Sequence, residues 1–351
     1  MNKWICLLLI SILTLPGLSL AGTITEQFHG VSYGPFHMEG QSPDLYTEIP
    51  SDQIRADLGM ISRAHFVNVR TFALDNNLDQ VPGISETYYP KLKIWLGVYE
   101  SNVNHDDPDD PHATLWQLDR AVELANSYDN VVGIVVGDEC LNGDARAGDH
   151  WVSAAQLLAD LDYVDEGLVA LGIRNRVVLT TDLSWGTAHG DQTDINGNIR
   201  QQLLSDHSNI DVWMINIYPY YAEGDPRGIP CNETEIRNNL DWNKTEFNIF
   251  YGSTVKPIVI GEHGWPTAGD DYGRSHPSID NQRLYFRVTS KWLRESNWSA
   301  LFFEFFDEPW KASSQEPGDI GPHWGLCYSS GIRKWFLTVS PASVFELLLF
   351  N

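Results

Sequence analysis

Two glutamates end long apolar segments of the sequence, and their type and position suit them to chemistry. Glu139 follows the segment 131–138, and Glu262 follows the segment 256–261. A carboxyl group at the end of a buried segment is costly to desolvate unless it is paired or used. Two such groups across a cleft can hydrolyse a glycosidic bond, because one protonates the leaving oxygen while the other attacks or stabilises the anomeric carbon. The alternative is that each glutamate forms an ion pair that closes the fold.

The elements that position these glutamates are eight short apolar, β-branched or aromatic segments separated by helical stretches. Eight such strands alternating with one-faced helices predict an α/β protein with a closed parallel (β/α)8 barrel, a TIM barrel. We expect it to form a single catalytic domain over residues 22–351. In such barrels the reacting residues stand at the carboxyl ends of the strands, and the two glutamates fall there on the fourth and seventh strands. The predicted strands are Phe28–Tyr33, Phe66–Phe72, Lys93–Tyr99, Val131–Glu139, Arg176–Thr181, Asp211–Ile217, Lys256–Glu262 and Leu301–Phe306.

The rival architecture is an open doubly wound sheet. Such a sheet normally has a glycine-rich phosphate-binding loop after an early strand, and the sequence Tyr33-Gly34-Pro35 is not one. Residues 114–127 and 153–171 carry apolar side chains at steps of three and four, which predicts two amphipathic helices between strands. These patterns favour the closed barrel.

The charge balance limits the substrates and partners. The chain of 351 residues has 23 Lys and Arg against 47 Asp and Glu, which gives a formal net charge of −24. Because such a surface repels phosphates, we expect neither nucleic acid nor an anionic membrane surface as a partner. Thirteen Trp, 14 Tyr and 14 Phe offer flat apolar faces on which sugar rings pack, unless they only build a large aromatic core. A neutral carbohydrate suits this composition.

The first 21 residues have the pattern of a secretory signal peptide. Lys3 provides the positive start, residues 5–15 are mostly apolar, and residues 19–21 match a cleavage site with small residues. We therefore expect a mature protein that begins near Gly22 and is secreted to the extracellular space, the cell wall or the periplasm. We also expect it to act as a monomer.

Four motifs lie at the ends of the first, sixth, seventh and eighth predicted strands. They are Gly30-Val31-Ser32-Tyr33-Gly34-Pro35, Asn216-Ile217-Tyr218-Pro219-Tyr220, Gly261-Glu262-His263-Gly264-Trp265-Pro266-Thr267, and Phe302-Phe303-Glu304-Phe305-Phe306-Asp307-Glu308-Pro309-Trp310-Lys311. Together they resemble glycoside hydrolase family 17, the β-1,3-glucanases and related β-1,3-glucan transferases. The resemblance implies a retaining barrel enzyme with Glu139 as general acid/base and Glu262 as nucleophile. A retaining enzyme holds the two carboxyl groups about 5 to 5.5 Å apart, whereas about 9 Å indicates inversion.

One position departs from the pattern of that family. The family usually has Asn directly before the acid/base, and here that residue is Asp138. An ionised carboxylate only accepts hydrogen bonds, so the bond to a sugar hydroxyl would reverse its direction. The charge of Asp138 would also raise the pKa of Glu139. We therefore expect a pH optimum that differs from that of an Asn-bearing relative, unless Asp138 points away from the site.

Arg70 is expected to support the nucleophile. It alternates with apolar residues in the second predicted strand, so its side chain should point into the barrel. There it could hold Glu262 ionised, or it could form a structural pair with Glu304. The sequence leaves both possibilities open.

The resemblance also implies a set of residues that bind the sugar. Tyr33 and Tyr218 are expected to hydrogen-bond a sugar or the nucleophile. Trp265 and Trp310 are candidates for stacking on glucose rings, with a core position as the alternative for Trp310. The expected substrate-binding residues are Tyr33, Arg70, Asp138, Tyr218, Trp265, Glu304, Glu308, Trp310 and Lys311, of which Glu308 and Lys311 form a pair in the cleft.

The remaining patterns are weaker, and the expected function follows from the glutamates. Residues 104–112 contain side chains of the metal-ligand type, but their prolines and charges predict a solvated loop, and we expect neither a metal nor an organic cofactor. The sequence has no Gly-x-Ser-x-Gly elbow to support a serine hydrolase. We expect a secreted glucan 1,3-β-glucosidase type of enzyme that hydrolyses β-1,3-glucan. The alternatives are a β-1,3-glucan transglycosylase and a glucan-binding protein without turnover.

Overall fold

The computed structural model describes residues 24, 26–141, 151–206, 208–313 and 318–335. The expected signal segment, residues 1–21, lies outside the described residues and stays a prediction. From residue 29 onward, strands and helices alternate along the chain. The strands β1 to β10 are His29–Ser32, Asn68–Arg70, Lys93–Val98, Val131–Asp138, Val178–Leu183, Thr193–Asp194, Gly197–Asn198, Trp213–Ile215, Ile258–His263 and Ser299–Phe302. The helices α1 to α8 are Ser51–Arg63, Val81–Tyr88, Thr114–Ser127, Ala154–Ala170, Trp185–His189, Ile199–Ser205, Glu233–Tyr251 and Ile279–Ser296.

Within these residues, eight parallel strands close into a barrel in the order β1-β10-β9-β8-β5-β4-β3-β2. β1 pairs with β2 through Val31 and Val69, and it pairs with β10 through His29 and Ala300. This closure confirms the predicted (β/α)8 architecture and excludes the open sheet. The short strands β6 and β7 form a separate antiparallel hairpin. The sequence analysis does not predict this hairpin, because two-residue strands give no periodicity.

The barrel strands are apolar on both faces because each face packs against a different layer. Val135 on β4 belongs to one buried cluster with Met214 and Val259, whereas its neighbours Ile134 and Val136 belong to a second, larger cluster. Successive side chains of a strand point to opposite faces. The first cluster therefore fills the barrel interior, and the second lies between strands and helices. This two-sided burial explains the continuous apolar runs in the sequence.

Helices α3 and α4 lie where the periodicity predicts them. α3 has the predicted bounds, and α4 begins directly after Ser153, whose hydroxyl accepts a hydrogen bond from the Gln156 amide at 3.1 Å. α4 buries Leu157 and Leu161, two residues of its predicted apolar stripe. Across the described ranges, each helix is either too short or too polar to span a lipid bilayer.

Two strands are displaced from their predicted positions. β5 starts and ends two residues later than the predicted segment 176–181, and β10 starts two residues before the predicted segment 301–306. β10 begins early because α8 ends at the left-handed residue Asn297, with φ of +60°. The aromatic run continues past the end of β10 because Phe305 packs in the core. Apolar composition therefore marks the burial of this segment and not the limits of the strand.

A pair of buried histidines joins β1 and β9 next to α8. The Nε2 atoms of His29 and His263 lie 3.0 Å apart. Their Nδ1 atoms lie 3.0 Å from the hydroxyl oxygen of Ser290 and 3.2 Å from that of Tyr285, respectively. Burial, reinforced by the charge of Arg294, lowers the pKa of His29 from 6.5 to about 3, and burial lowers the pKa of His263 as well. Both rings are therefore neutral in the folded protein at neutral pH.

We predict that acid destabilises the fold through this pair. Below pH 6.5 the unfolded chain binds a proton that folded His29 does not bind until about pH 3, so the free energy of unfolding falls through this window. Each pH unit corresponds to about 1.36 kcal/mol. The free energy of unfolding should therefore fall by about 2 kcal/mol through His29 alone as the pH is lowered from 6.5 to about 5. Urea unfolding at several pH values measures this slope. His29→Gln should flatten it, whereas the exposed control His65→Gln should not, and equal slopes in all three proteins would contradict the prediction.

Candidate active site

The two candidate glutamates lie at the carboxyl ends of β4 and β9 and line the same cavity. Glu139 directly follows β4, and Glu262 is near the end of β9. The cavity has a volume of about 970 Å³, which is within the usual range for small-molecule sites. The side chain of Glu262 is 9% exposed, and Glu139 is half-buried. The barrel thus brings together the two carboxyl groups that the sequence analysis places at its mouth.

The backbone leaves regular strand geometry at the end of β4. Its register with β5 shifts between Val135 and Asp138, and Gly137 has a φ of +73°. Glu139 itself has a φ of +48°, in a region that is uncommon for residues other than glycine. Its amide still donates to the carbonyl oxygen of Asp182 on β5 at 3.0 Å. Such conformations concentrate at functional sites, where the surrounding structure holds them.

Two consecutive residues after β8 each contact one of the two glutamates. The side-chain amide of Asn216 donates to Glu139 Oε1 at 2.9 Å. The backbone amide of Ile217 donates to the carbonyl oxygen of Glu262, also at 2.9 Å. β8 lies beside β9, and β5 alone separates it from β4. The two candidate residues are therefore positioned relative to each other by the end of a single strand.

The guanidinium group of Arg70 joins three acidic side chains beneath the cavity. It is fully buried at the end of β2, with Nη2 3.1 Å from Asp138 Oδ1 and Nη1 3.7 Å from Glu262 Oε1. Nη1 also donates a hydrogen bond to Asp182 on β5. The three acids have the spacing of a cation site, but Arg70 already supplies a positive charge to them. Arg70 thus pairs with Glu262, as one sequence hypothesis expects, and the alternative pair with Glu304 is wrong.

Burial and mutual repulsion raise the pKa values of two of these acids. Burial raises the pKa of Asp182 to about 8, against the attraction of Arg70. Burial and then the charge of Asp138 raise the pKa of Glu262 well above its usual range, while Arg70 acts to lower it. Because charge on one acid opposes ionisation of the others, these groups titrate as a coupled set. The acids in turn outweigh the effect of burial on Arg70 and raise its pKa, so it stays protonated.

Tyr218 and Gly261 complete the surroundings of Glu262. The Tyr218 hydroxyl donates to Glu262 Oε2 at 2.7 Å, and a hydrogen bond to the charged form of an acid favours that form. The sequence analysis expects Tyr218 to contact the nucleophile or a sugar, and the structure contains the first of these contacts. A β-carbon on Gly261 would lie 2.2 Å from Asp182 Oδ1. Glycine before Glu262 therefore allows Asp182 to pack against β9.

Glu304, Glu308 and Lys311 form a second ion cluster after β10. Lys311 Nζ lies 2.7 Å from Glu304 Oε1 and 2.8 Å from Glu308 Oε2. Burial alone would raise the pKa of Glu308, but Lys311 outweighs it and the pKa is lowered, so this carboxylate is charged. Glu308 and Lys311 line the cavity as the expected pair. Glu304 is fully buried and holds Lys311, so the expectation that Glu304 binds substrate is wrong.

The two tryptophans expected to stack on sugars have different environments. Trp310 is partly exposed and lines the cavity, and Lys311 Nζ lies 5.7 Å from its ring centroid. Trp265 is fully buried; its ring centroid lies 5.2 Å from that of Tyr220, and its Nε1 donates to the His276 carbonyl oxygen at 3.0 Å. The prediction that Trp265 stacks on glucose is therefore wrong, because this residue belongs to the core.

Tyr33 is also fully buried. It contributes to the wall of the cavity, but its hydroxyl donates to Asp57 Oδ2 on α1 at 2.9 Å. In the structure this hydroxyl therefore bonds to Asp57, and its expected hydrogen bond to a sugar stays a prediction. Tyr33 instead ties the end of β1 to α1.

Two further residues of the site, Asp182 and Asn216, are not predicted from the sequence. The predicted fifth strand ends at Thr181, whereas β5 continues to Leu183 and carries Asp182 to Arg70. A longer strand assignment would have found this acid. Asn216 stands in a recognised motif, but its contact with Glu139 depends on the spatial order of the strands, which local sequence does not reveal.

A second cavity, of about 510 Å³, also has Glu139 in its wall. Trp185 and Trp242 line it, with ring centroids 6.1 Å apart and ring planes at 27°. Trp242 is 47% exposed. Because Glu139 lines both cavities, the candidate acid/base lies between two regions that can accept a ligand. The sequence analysis does not single out either tryptophan, since helical periodicity does not locate a residue relative to the barrel mouth.

Comparisons with known proteins identify the family of this chain. Residues 30–325 match the model of the BtgE/BtgC glycoside hydrolase domain. The Aspergillus niger protein named as glucan endo-1,3-beta-glucosidase btgC is 27% identical over 320 residues, which cover 86% of this chain and 42% of that protein. The protein named glucan 1,3-beta-glucosidase of Schizosaccharomyces pombe is 26% identical over 293 residues, which cover 82% of this chain and 81% of that protein.

A solved structure shows the same fold. An active-site mutant of Rhizomucor miehei β-1,3-glucanosyltransferase in complex with laminaritriose aligns with a TM-score of 0.61 and 21% identity. The alignment covers 87% of this chain and 95% of that chain. This chain spans less than half the length of the A. niger relative. Since the family match extends over most of its residues, the chain belongs to the BtgE/BtgC glycoside hydrolase family, in agreement with its resemblance to glycoside hydrolase family 17.

Proposed function

We propose that this protein hydrolyses β-1,3-linked glucan by a retaining, double-displacement mechanism. Glu139 acts as general acid/base, and Glu262 acts as nucleophile. The observation that carries the proposal is that these glutamates line one cavity from the carboxyl ends of β4 and β9. An acid on one side of a sugar-sized space and a nucleophile on the other is the arrangement that glycoside cleavage needs.

The reaction has two half-reactions. In the first, Glu139 gives its proton to the glycosidic oxygen while a carboxylate oxygen of Glu262 attacks the anomeric carbon, which forms a glycosyl ester and releases one part of the chain. In the second, Glu139 removes a proton from water, the water oxygen displaces Glu262, and both carboxyl groups return to their first state. This mechanism requires the two carboxyl groups to be about 5 to 5.5 Å apart, and that separation is part of the proposal.

The contacts of the two glutamates suit their different roles. The Tyr218 hydroxyl and Arg70 favour the charged form of Glu262, which is the form that attacks. Asn216 donates to Glu139 through a neutral amide, so the contact is compatible with an acid that gains and loses a proton in each cycle. Burial raises the pKa of Asp182, so protonation within this coupled set of acids limits the negative charge around Glu262.

A β-1,3-glucan is the substrate with the best support. Both relatives are named for action on 1,3-β-glucan, and the similar structure is a β-1,3-glucanosyltransferase with laminaritriose. The net charge of −24 favours a neutral polymer. Trp310 in the first cavity and Trp185 and Trp242 in the second offer apolar faces to sugar rings. Sugars could therefore bind on both sides of Glu139.

Transfer of the glycosyl group to another sugar is the second candidate, and the second cavity favours it. An acceptor sugar between Trp185 and Tyr218 could give its hydroxyl proton to Glu139 in place of water. The chemistry at the two glutamates is the same in both reactions. The product therefore depends on whether water or a sugar reaches the glycosyl ester first.

We also propose that the protein is exported and that it acts as a monomer. A glucan polymer is too large to enter a cell, so an enzyme that cleaves it must meet it outside, in the medium or in the cell wall. The pattern of residues 1–21 supports this location.

We predict that Glu139→Gln and Glu262→Gln each remove most of the activity on laminarin. General acid–base catalysis contributes about 10²- to 10⁴-fold, so Glu139→Gln should lose activity of that order. Glu262→Gln should lose at least as much, because an amide cannot attack in place of the carboxylate. Glu166→Gln, which changes an exposed residue of α4, is the matched control and should keep full activity.

Chromatography of the laminarin products separates the candidate functions. Short oligosaccharides from the wild type indicate hydrolysis, and products longer than the donor indicate transfer. Unchanged polymer with measurable binding would favour a glucan-binding protein without turnover. Wild-type activity in either Gln variant would contradict the assigned roles.

We also predict that Asp138→Asn shifts the pH profile of kcat/KM. The charge of Asp138 raises the pKa of Glu262, so a neutral amide should lower that pKa. Because Glu262 must be ionised to attack, the acid limb of the profile should move to lower pH. Asp52→Asn on α1, with a side chain that is 88% exposed, should leave the limb in place. Superimposable profiles of the wild type and Asp138→Asn would show that Asp138 has no influence on the reacting groups.

A further inference from the structure

A group of titratable side chains outside the catalytic pair lies between β3 and α4. Glu100 lies just after β3, His105 is on the following loop, and Asp160 is on α4. One oxygen of each acid and one ring nitrogen of His105 lie within 4.8 Å of one another. We call these three residues the Glu100 cluster. The loop 104–112 is largely exposed, as the sequence predicts, but its residue His105 lies against two buried acids.

Glu100 is the more deeply buried of the two acids in this cluster. Its residue is 1% exposed, and within the described part of the chain no donor reaches either of its carboxylate oxygens. Asp160 faces it, and burial together with the charge of Asp160 raises the pKa of Glu100 well above its usual range. A buried carboxylate is costly unless a proton or a cation compensates it. The carboxyl group of Glu100 therefore needs either a proton or a bound ion.

Both ring nitrogens of His105 face carboxylates. Its Nδ1 lies 2.5 Å from Asp106 Oδ1, and its Nε2 lies 3.1 Å from both carboxylate oxygens of Asp160. Burial lowers the pKa of His105, but these two carboxylates outweigh it and raise that pKa, so a metal that binds Nε2 must displace a proton from the ring. The side-chain amide nitrogen of Gln156 lies 3.1 Å from the same Nε2 and also donates to Asp160 Oδ1 at 3.2 Å.

We propose that the Glu100 cluster binds a divalent transition-metal ion of the Zn²⁺ type. Two carboxylates and one imidazole suit such an ion, whereas Ca²⁺ prefers sites made of oxygen atoms alone. The ion takes the place of the protons that Glu100 and the Nε2 atom of His105 otherwise hold, and these protons are released to solvent. Because Glu100 also lines the cavity of the candidate active site, the ion fastens the loop after β3 to α4 beside the cleft.

Metal uptake by the full protein tests this proposal. After treatment with a chelator and dialysis, the protein should take up one Zn²⁺ per chain in a calorimetric titration. Its melting temperature should rise as Zn²⁺ is added, because an ion that binds the folded state alone stabilises it. Co²⁺ in place of Zn²⁺ should produce visible d–d absorption, which reports direct ligation. Glu100→Gln and Asp160→Asn should each weaken Zn²⁺ binding by at least about tenfold.

His112→Ala is the matched control for these variants. His112 lies on the same loop outside the cluster, with Nδ1 2.7 Å from Asp75 Oδ2, so its removal should leave Zn²⁺ affinity unchanged. Circular dichroism checks the folding of each variant, and the metal stoichiometry of the wild type needs no variant at all. The proposal is overturned if the wild type binds no Zn²⁺, if it binds Ca²⁺ in preference, or if Zn²⁺ binding survives both Glu100→Gln and Asp160→Asn.

Discussion

The ion pairs of Arg70 are the constraint on which the candidate active site depends. This fully buried side chain at the end of β2 contacts acids on β4, β5 and β9. A planar guanidinium group can direct donors at several carboxylates at once, which an ammonium group cannot do with the same geometry. Breaking a buried ion pair by removal of one partner typically costs about 3–5 kcal/mol. The electrostatics of the site and the stability of the barrel are therefore linked through one side chain.

Arg70 also explains how Asp138, the residue that departs from the family pattern, can influence Glu262. Asp138 lies 3.1 Å from the guanidinium group, and Glu262 lies at the longer distance of 3.7 Å. An Asn at this position would leave Arg70 with one acid fewer to compensate, and the attraction between Arg70 and Glu262 would meet less competition. A substitution of Asp138, beside the proposed acid/base, therefore acts on Glu262, the proposed nucleophile, through Arg70.

The barrel could be predicted because its strands are apolar on both faces, and Glu139 and Glu262 could be predicted because they end such runs. Other features depend on contacts distant in sequence. Asp182 lies in the last part of β5, beyond the end of the predicted strand. His105 contacts Asp160 because the loop after β3 packs on α4, and local sequence does not predict this packing. Trp265 lies in a recognised motif and is nevertheless buried, because a motif specifies residue type and not the direction of a side chain.

Trapping the glycosyl ester tests most directly whether Glu262 is the nucleophile of a double displacement. An activated 2-deoxy-2-fluoro-glucoside forms this ester faster than water can break it, so mass spectrometry should show one added sugar per protein molecule. Digestion should then locate the sugar on the peptide that contains Glu262. A sugar on Glu139 or on another residue, or hydrolysis with inversion of configuration and no labelled protein, would contradict the mechanism.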